Sequence, residues 1–346
     1  MKYFTGETLL EIRDWLVTQL CEAAVGAVDF GVPDPALGPG LYSGEELRVG
    51  LRVARHRGYR CWTELAELLG CRMVLPRAAE SATVATDSTQ AEGNTVEHDR
   101  EWFVRLRFEK LDREGSFHDE VPVDPTEKYG AGSRYARIDK REEPSIVLAL
   151  EAALRRVDPA PGARVLVLGV NTGDELALLR RVVGNERFDA LELVGVDHSR
   201  SAVAKAKERF GGARCRLLVR DINDLAEPGA ESELGLGRFD LLLSVGTLHS
   251  PGIRNSKELF MRLVQEHLTP TGAVTLGFPN CRWQGGEVRH GARAPNYNHP
   301  EQSLVLKDVD WCKRYLQQHR YRVTVTGRHY LFVTATRTRP TMPPST

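Results

Sequence analysis

Between Val165 and Leu179 the chain reads VLVLGVNTGDELALL: four apolar residues run into Gly169, and after Gly173 an acidic pair opens a helical spacing of leucines. A strand that turns sharply into a helix is half of a βαβ unit. The same element recurs at ALELVGVD, CRLLVRD, FDLLLSV and GAVTLGF, with helical spacers between. A helix over 145–157 leads in, and YRVTVTG and RHYLFVTATR flank Thr326-Gly327-Arg328 with period-two alternation. This order predicts an α/β fold with a doubly wound, mostly parallel sheet, closed at one edge by a C-terminal antiparallel hairpin.

The first part of the chain has another rhythm. Helical patterns near 7–24, 44–57 and 61–69 precede two apolar strands, RMVLPR and WFVRLRFEKL, which predicts a smaller α+β N-terminal domain over 1–126. The stretch 44–69 also admits a helix-turn-helix. Residues 78–99 are small, polar and aperiodic and are expected to be mobile. Residues 127–143 form a polar joint, 144–337 the α/β domain, and 338–346 a tail expected to be disordered.

The chain's 346 residues suffice for a full core. No apolar run nears the roughly 18 residues needed to span a bilayer, so no membrane partner is expected. The N-terminus carries acids and an amphipathic rhythm, unlike a secretory signal. Cysteines at 21, 61, 71, 215, 281 and 312 have no C-x-x-C spacing, which points away from zinc and disulfides and toward a cytoplasmic protein. Net charge is zero but uneven. Eleven Lys/Arg stand against four Asp/Glu from Cys281 onward, and fifteen against twenty-three up to Gly130. Such asymmetry marks either a polyanion-facing side or two mutually attracting halves.

The turn at Gly169 is not a dinucleotide fingerprint. G-x-G-x-x-G would fall on Gly169, Asn171 and Asp174, and an acid at the third place repels a pyrophosphate. A phosphate-free ligand with a cationic amino-acid end fits better. Asn171 is the common substitute where a left-handed backbone is wanted. Asp197 ends the second strand of the series, where an acid can take both hydroxyls of a ribose. Asp221 ends the third, where it can accept from an adenine amino group while Ile222 covers the ring. Each acid could also be a helix cap. All three features nevertheless fall at the carboxyl ends of successive strands, where an open α/β sheet binds its ligand.

With these residues in order, Pro144–Arg337 resembles the class I S-adenosylmethionine-dependent methyltransferases, which have a Rossmann-like fold. The resemblance implies that S-adenosylmethionine is the cofactor. Gly169, Asn171 and Gly173 would cradle its methionine and ribose, Asp197 its ribose, and Asp221 with Ile222 its adenine. The family often has an acid two residues before the first glycine, where this chain has Val167. The methionine ammonium must then be held otherwise, by Asp174 or by a backbone carbonyl near Ser244.

The element N/D-P-P-Y/F of the amino-methylating nucleic-acid enzymes is absent after the fourth strand, where SVGTLHSPG stands. The spacing onward loosely resembles the ubiquinone-type O-methyltransferases and the small-RNA 3′-terminal 2′-O-methyltransferases. Their acid–x–x–acid–His element survives here only as His249, so no metal is expected. His249 is the candidate general base or a loop-capping residue. Cys281 stands roughly where RNA cytosine-methylating enzymes keep a thiol, with packing as its other reading. Candidate substrate contacts are Lys128, Tyr129, Arg134 and Arg137 in the joint, beside Tyr135, Lys140 and Arg141, and then Asn280, Arg282, Tyr297 and His299 after the fifth strand. Arginine and tyrosine together suit a phosphate or a stacking base. The expectation is methyl transfer to an O or N nucleophile, with RNA as acceptor. A small-molecule methyltransferase and a non-catalytic cofactor-binding module are the alternatives. Nothing in the sequence names a protein partner.

Overall fold

The computed structural model describes residues 1–23, 26–75, 102–112, 121–227, 236–250, 252–291 and 302–338. The chain forms two compact units. One comprises Met1–Gly115 with Gln284–Glu287, the other Ser116–Trp283 with Val288–Thr346. The expected mobile loop at 78–99 and all but the first residue of the expected tail lie outside the described residues.

In the first unit, β1 (Lys2–Tyr3), β2 (Ala27–Pro33), β6 (Phe103–Lys110) and β5 (Cys71–Val74) form a sheet in that spatial order. Helix α1 (Leu9–Glu22) starts in a capping box, with Thr8 accepting from the Glu11 amide and the Glu11 carboxylate accepting from the Thr8 amide. Its buried Ile12, Leu16 and Leu20 repeat every fourth residue, one helical face. They pack with Trp62 of α2 (Tyr59–Leu68) on Phe30, Leu106 and Phe108. Alternation along β6 puts Arg105 and Arg107 on the opposite face, paired with Asp29.

The helix expected at 44–57 is instead a hairpin of β3 (Glu46–Val49) and β4 (Arg52–Arg55). Leu47, Val49, Leu51 and Val53 alternate with polar or glycine residues, a period-two signal, and Gly50 adopts φ 62 in the turn. Without a helix there, the helix-turn-helix reading of 44–69 falls.

The second unit is built on seven strands in the order β14-β15-β11-β10-β7-β8-β9. These are β7 (Arg164–Leu168), β8 (Glu192–Asp197), β9 (Cys215–Val219), β10 (Phe239–Val245), β11 (Leu268–Pro279), β14 (Tyr321–Gly327) and β15 (Tyr330–Arg337). Neighbours from β9 through β11 pair in parallel, while β15 is antiparallel to both β11 and β14. Two short strands, β12 (Cys281–Gln284) and β13 (Glu287–His290), pair with each other.

Helices α3 (Pro144–Val157), α4 (Asp174–Val183), α5 (Asn185–Ala190) and α6 (Arg200–Phe210) cover one face. There Ile146, Leu150, Leu176, Leu179, Phe188 and Val203 pack with Val165 and Val167. Helices α7 (Ser256–Glu266) and α8 (Ser303–Gln318) cover the other, packing Leu259, Phe260, Val305 and Leu316 against Leu166, Leu242 and Leu276. Burial on both faces explains why the central strands read as continuous apolar runs. From β7 the chain winds one way through β8 and β9, then returns to lay β10 on the other side of β7. That reversal opens a crevice at the carboxyl ends of β7 and β10. Among the described residues, no helix is long and apolar enough to cross a membrane.

Candidate functional site

The turn after β7 lies at this reversal, and its backbone is unusual. Gly169, Asn171 and Gly173 all have positive φ, at 69, 43 and 88°. A Cβ on Gly169 would lie 2.0 Å from Thr247 Oγ1, so the turn is pressed against the loop that follows β10. Thr247 Oγ1 in turn donates to the Leu168 carbonyl at 3.0 Å. The amides of Gly169 and Val170 donate to the Val196 carbonyl at the end of β8.

Asp197 closes the arrangement. It is 8% exposed. Its Oδ2 accepts from the Asn171 amide at 2.9 Å, and its Oδ1 from the Ser199 amide at 2.9 Å. The glycine turn and the acid at the tip of the second strand are therefore in contact. Ser199 begins α6, its hydroxyl accepting from the Ala202 amide.

The joint segment runs across this corner. The Asn171 side-chain amide donates to the Tyr129 carbonyl at 2.7 Å. Glu127 accepts from Ser199 Oγ at 3.0 Å, from the Ser201 amide at 3.3 Å and from the Ser201 hydroxyl. These bonds, led by the Ser201 hydroxyl, hold the Glu127 carboxyl below the usual glutamate range. Lys128 and Tyr129 are half-buried here, whereas Arg134 and Arg137 are exposed.

A cavity of about 380 Å³ opens between this segment and the turn. Its walls include Tyr135, Lys140, Arg141, Asn171, Asp174, Glu175, Lys205 and Arg209, so both signs of charge line it. Lys140 donates to Glu175 at 3.3 Å, with side chains 13% and 5% exposed. Burial opposes the lysine's charge, but Tyr135, Glu175 and Tyr330 more than offset it and hold the ammonium well above the ordinary lysine range. Asp174 pairs with Arg209 at 3.0 Å and Arg141 at 3.8 Å. Sequence reasoning does not reach Glu175, Lys205, Arg209 or Tyr330. Glu175 has a local signal, standing beside Asp174, but the other three reach the site only through folding.

Other expected site residues fall elsewhere. Asp221 caps the short 3-10 helix Ile222–Ala226 by accepting from the Asn223 amide at 2.9 Å, while Ile222 is 7% exposed and part of the core. Ser244 is 2% exposed within β10, beside Leu168. His249 stacks on Phe278, with ring centroids 4.2 Å apart, and pairs with Asp308 at 3.2 Å. Its side chain is 8% exposed. Asn280 is 3% exposed. Its side chain donates to the Arg328 carbonyl at 3.0 Å and meets His290 Nε2 at 3.1 Å. Burial pushes the Cys281 thiol up to about 12, which leaves no thiolate for nucleophilic attack near neutral pH. Arg282 is half-buried on β12, and Tyr297 and His299 lie outside the described residues. Among the described residues no three His, Cys, Asp or Glu side chains group as a metal site.

Strand order decides the architecture. The second unit is a doubly wound, Rossmann-like α/β sheet closed at one edge by an antiparallel hairpin. Among solved structures, a SAM-dependent methyltransferase from Aquifex aeolicus is 16% identical and aligns over 57% of this chain and 98% of its own, with a TM-score of 0.39. A Haloferax volcanii methyltransferase in complex with the Trm112 methyltransferase activator gives 14%, 62%, 99% and 0.42. The plantazolicin methyltransferase BpumL with SAH gives 15%, 63%, 92% and 0.43. No family model matches the sequence, and no curated protein matches it.

The donor set suits an adenosine bearing an amino-acid end. An acid lies at the tip of β8, acids stand at the start of α4 where a pyrophosphate would need none, and the neighbouring cavity offers both charges.

Proposed function

We propose that the chain is an S-adenosylmethionine-dependent methyltransferase acting on an O or N nucleophile, with RNA as its acceptor. The observation that carries this reading is the 2.9 Å bond from the Asn171 amide to Asp197, which joins the glycine turn and the β8 acid at the sheet's reversal. When bound, the cofactor supplies a methyl group on a sulfonium sulfur. The chain's part is to bind and orient. Asp197 would offer its remaining acceptor capacity to the ribose hydroxyls, and Asp221, two residues past β9, would serve the adenine edge with Ile222 beside it. The joint segment, tied down through Asn171 and Glu127, excludes water from the transfer path. Transfer from a sulfonium needs an aligned acceptor above all, and the enclosed His249 is consistent with a reaction that places little demand on a side-chain base.

RNA is favoured by the basic excess from Cys281 onward and by exposed Arg134 and Arg137 on the joint. Incubation with labelled S-adenosylmethionine and fractionated lysate tests the reading, with label expected in the RNA fraction and activity falling steeply with added salt. Label in small molecules without salt dependence would replace RNA by a metabolite. Cofactor binding without any transfer would leave a binding module. Asp197→Ala is expected to abolish cofactor binding in calorimetry, and retained micromolar affinity would remove Asp197 from the site.

A further inference from the structure

The family resemblance leaves one end of the cofactor without a holder. Val167 stands where an acid is common, and it is 1% exposed inside the core. Asp174, the nearest substitute in sequence, faces Arg209 at 3.0 Å and Arg141 at 3.8 Å, so two cations share one carboxylate. An ammonium gains little from an acid already outnumbered in this way.

The next residue is placed differently. Glu175 lies in the first turn of α4, where the helix dipole favours a carboxylate. Its one ion-pair partner among the described residues is Lys140, at 3.3 Å. Both side chains line the 380 Å³ cavity beside the turn. The Lys140 ammonium is also fixed from two sides, 5.7 Å from the Tyr135 ring centroid and 5.8 Å from that of Tyr330. Among the charged residues that line the cavity, these two are thus a largely buried positive and negative group a few ångströms apart.

We propose that Lys140 and Glu175 together receive the amino-acid end of the cofactor, Lys140 meeting its carboxylate and Glu175 its ammonium. This rests on the methyltransferase reading above and names the residues that replace the missing acid. In the structure the two pair with each other. A buried pair regains only part of the desolvation its two ions cost. An incoming zwitterion of opposite polarity gives each of them a second charged partner in the same low-dielectric place. Tyr135 and Tyr330 keep the lysine in position while the partners rearrange.

The test compares two probes by calorimetry: S-adenosylhomocysteine, and 5′-methylthioadenosine, which carries the same nucleoside thioether without the amino-acid end. The wild-type protein is expected to bind the first at least about tenfold more tightly. Lys140→Met and Glu175→Gln should each cut that affinity by about tenfold to a hundredfold, while 5′-methylthioadenosine stays within about twofold of wild type. The double variant Lys140→Met/Glu175→Leu leaves no lone buried charge and guards against misfolding of the single variants. It should bind the two probes alike. Variants that keep the wild-type preference would overturn the assignment, as would a wild-type protein that binds both probes equally well. A folded wild-type protein that binds neither would overturn the methyltransferase reading itself.

Discussion

The side-chain amide of Asn171 donates to the backbone carbonyl of Tyr129 at 2.7 Å, while the Asn171 backbone amide donates to Asp197 at 2.9 Å. One residue in the glycine turn therefore holds both the joint segment above it and the acid beside it. Its φ of 43° is a conformation that asparagine tolerates and alanine does not. Asn171→Ala is expected to cost about 1–3 kcal/mol in urea unfolding, from the lost bond and the strained backbone. Asn171→Gly loses the side-chain bonds to Tyr129 and Thr172 without the backbone strain and should cost less. Both should speed proteolysis within 121–143, and unchanged cleavage would show that the clamp does not hold the segment.

Gly169 is pressed against Thr247 across the sheet's reversal. Gly169→Ala adds a Cβ both to a crowded place and to a backbone at φ 69°, so a loss of about 2–4 kcal/mol is expected. Removing the nearest contact with Thr247→Ala should recover part of it. A double-mutant cycle with no coupling would place the strain in the backbone alone.

Glu127 carries a pH dependence whose sign follows from its depressed pKa. Its bonds to Ser201 and Ser199 favour the ionised form in the folded protein. That contribution is present above the ordinary glutamate value near 4.3 and is lost as the pH falls through the lower folded value. Proteolysis of 121–143 should therefore accelerate only at pH below about 4. Glu127→Gln should show the open-segment rate at neutral pH, without that acid transition.

Cys281 should be inert. With its thiol pushed up to about 12 by burial, alkylation at pH 8 is expected to lag well behind that of exposed Cys21. Cys281→Ser should leave methyl transfer unchanged. Rapid labelling of Cys281 would contradict the buried environment.

The α/β order of the second unit is readable because its strands are buried on both faces and separated by amphipathic helices, so each element is marked locally. Gly169, Asn171, Gly173 and Asp197 are legible for the same reason, lying at strand ends that the pattern marks. The hairpin at 46–55 escapes such a reading. Leu47, Leu51 and Ala54 follow at intervals of four and three residues, which suits one face of a helix. The period-two alternation that the fold uses instead is stabilised by pairing between β3 and β4, a contact that periodicity alone does not weigh.

Sequence by itself determined where strands end and helices begin in the α/β unit, since hydrophobic periodicity and glycine act over a few neighbouring residues. Tertiary structure alone decided which charges are spent and which remain. Asp174 and Glu175 are adjacent in the chain, yet one faces two arginines from distant segments and the other a single buried lysine. Pairing depends on through-space distance and on the exclusion of water, and neither is written in the order of residues along the chain.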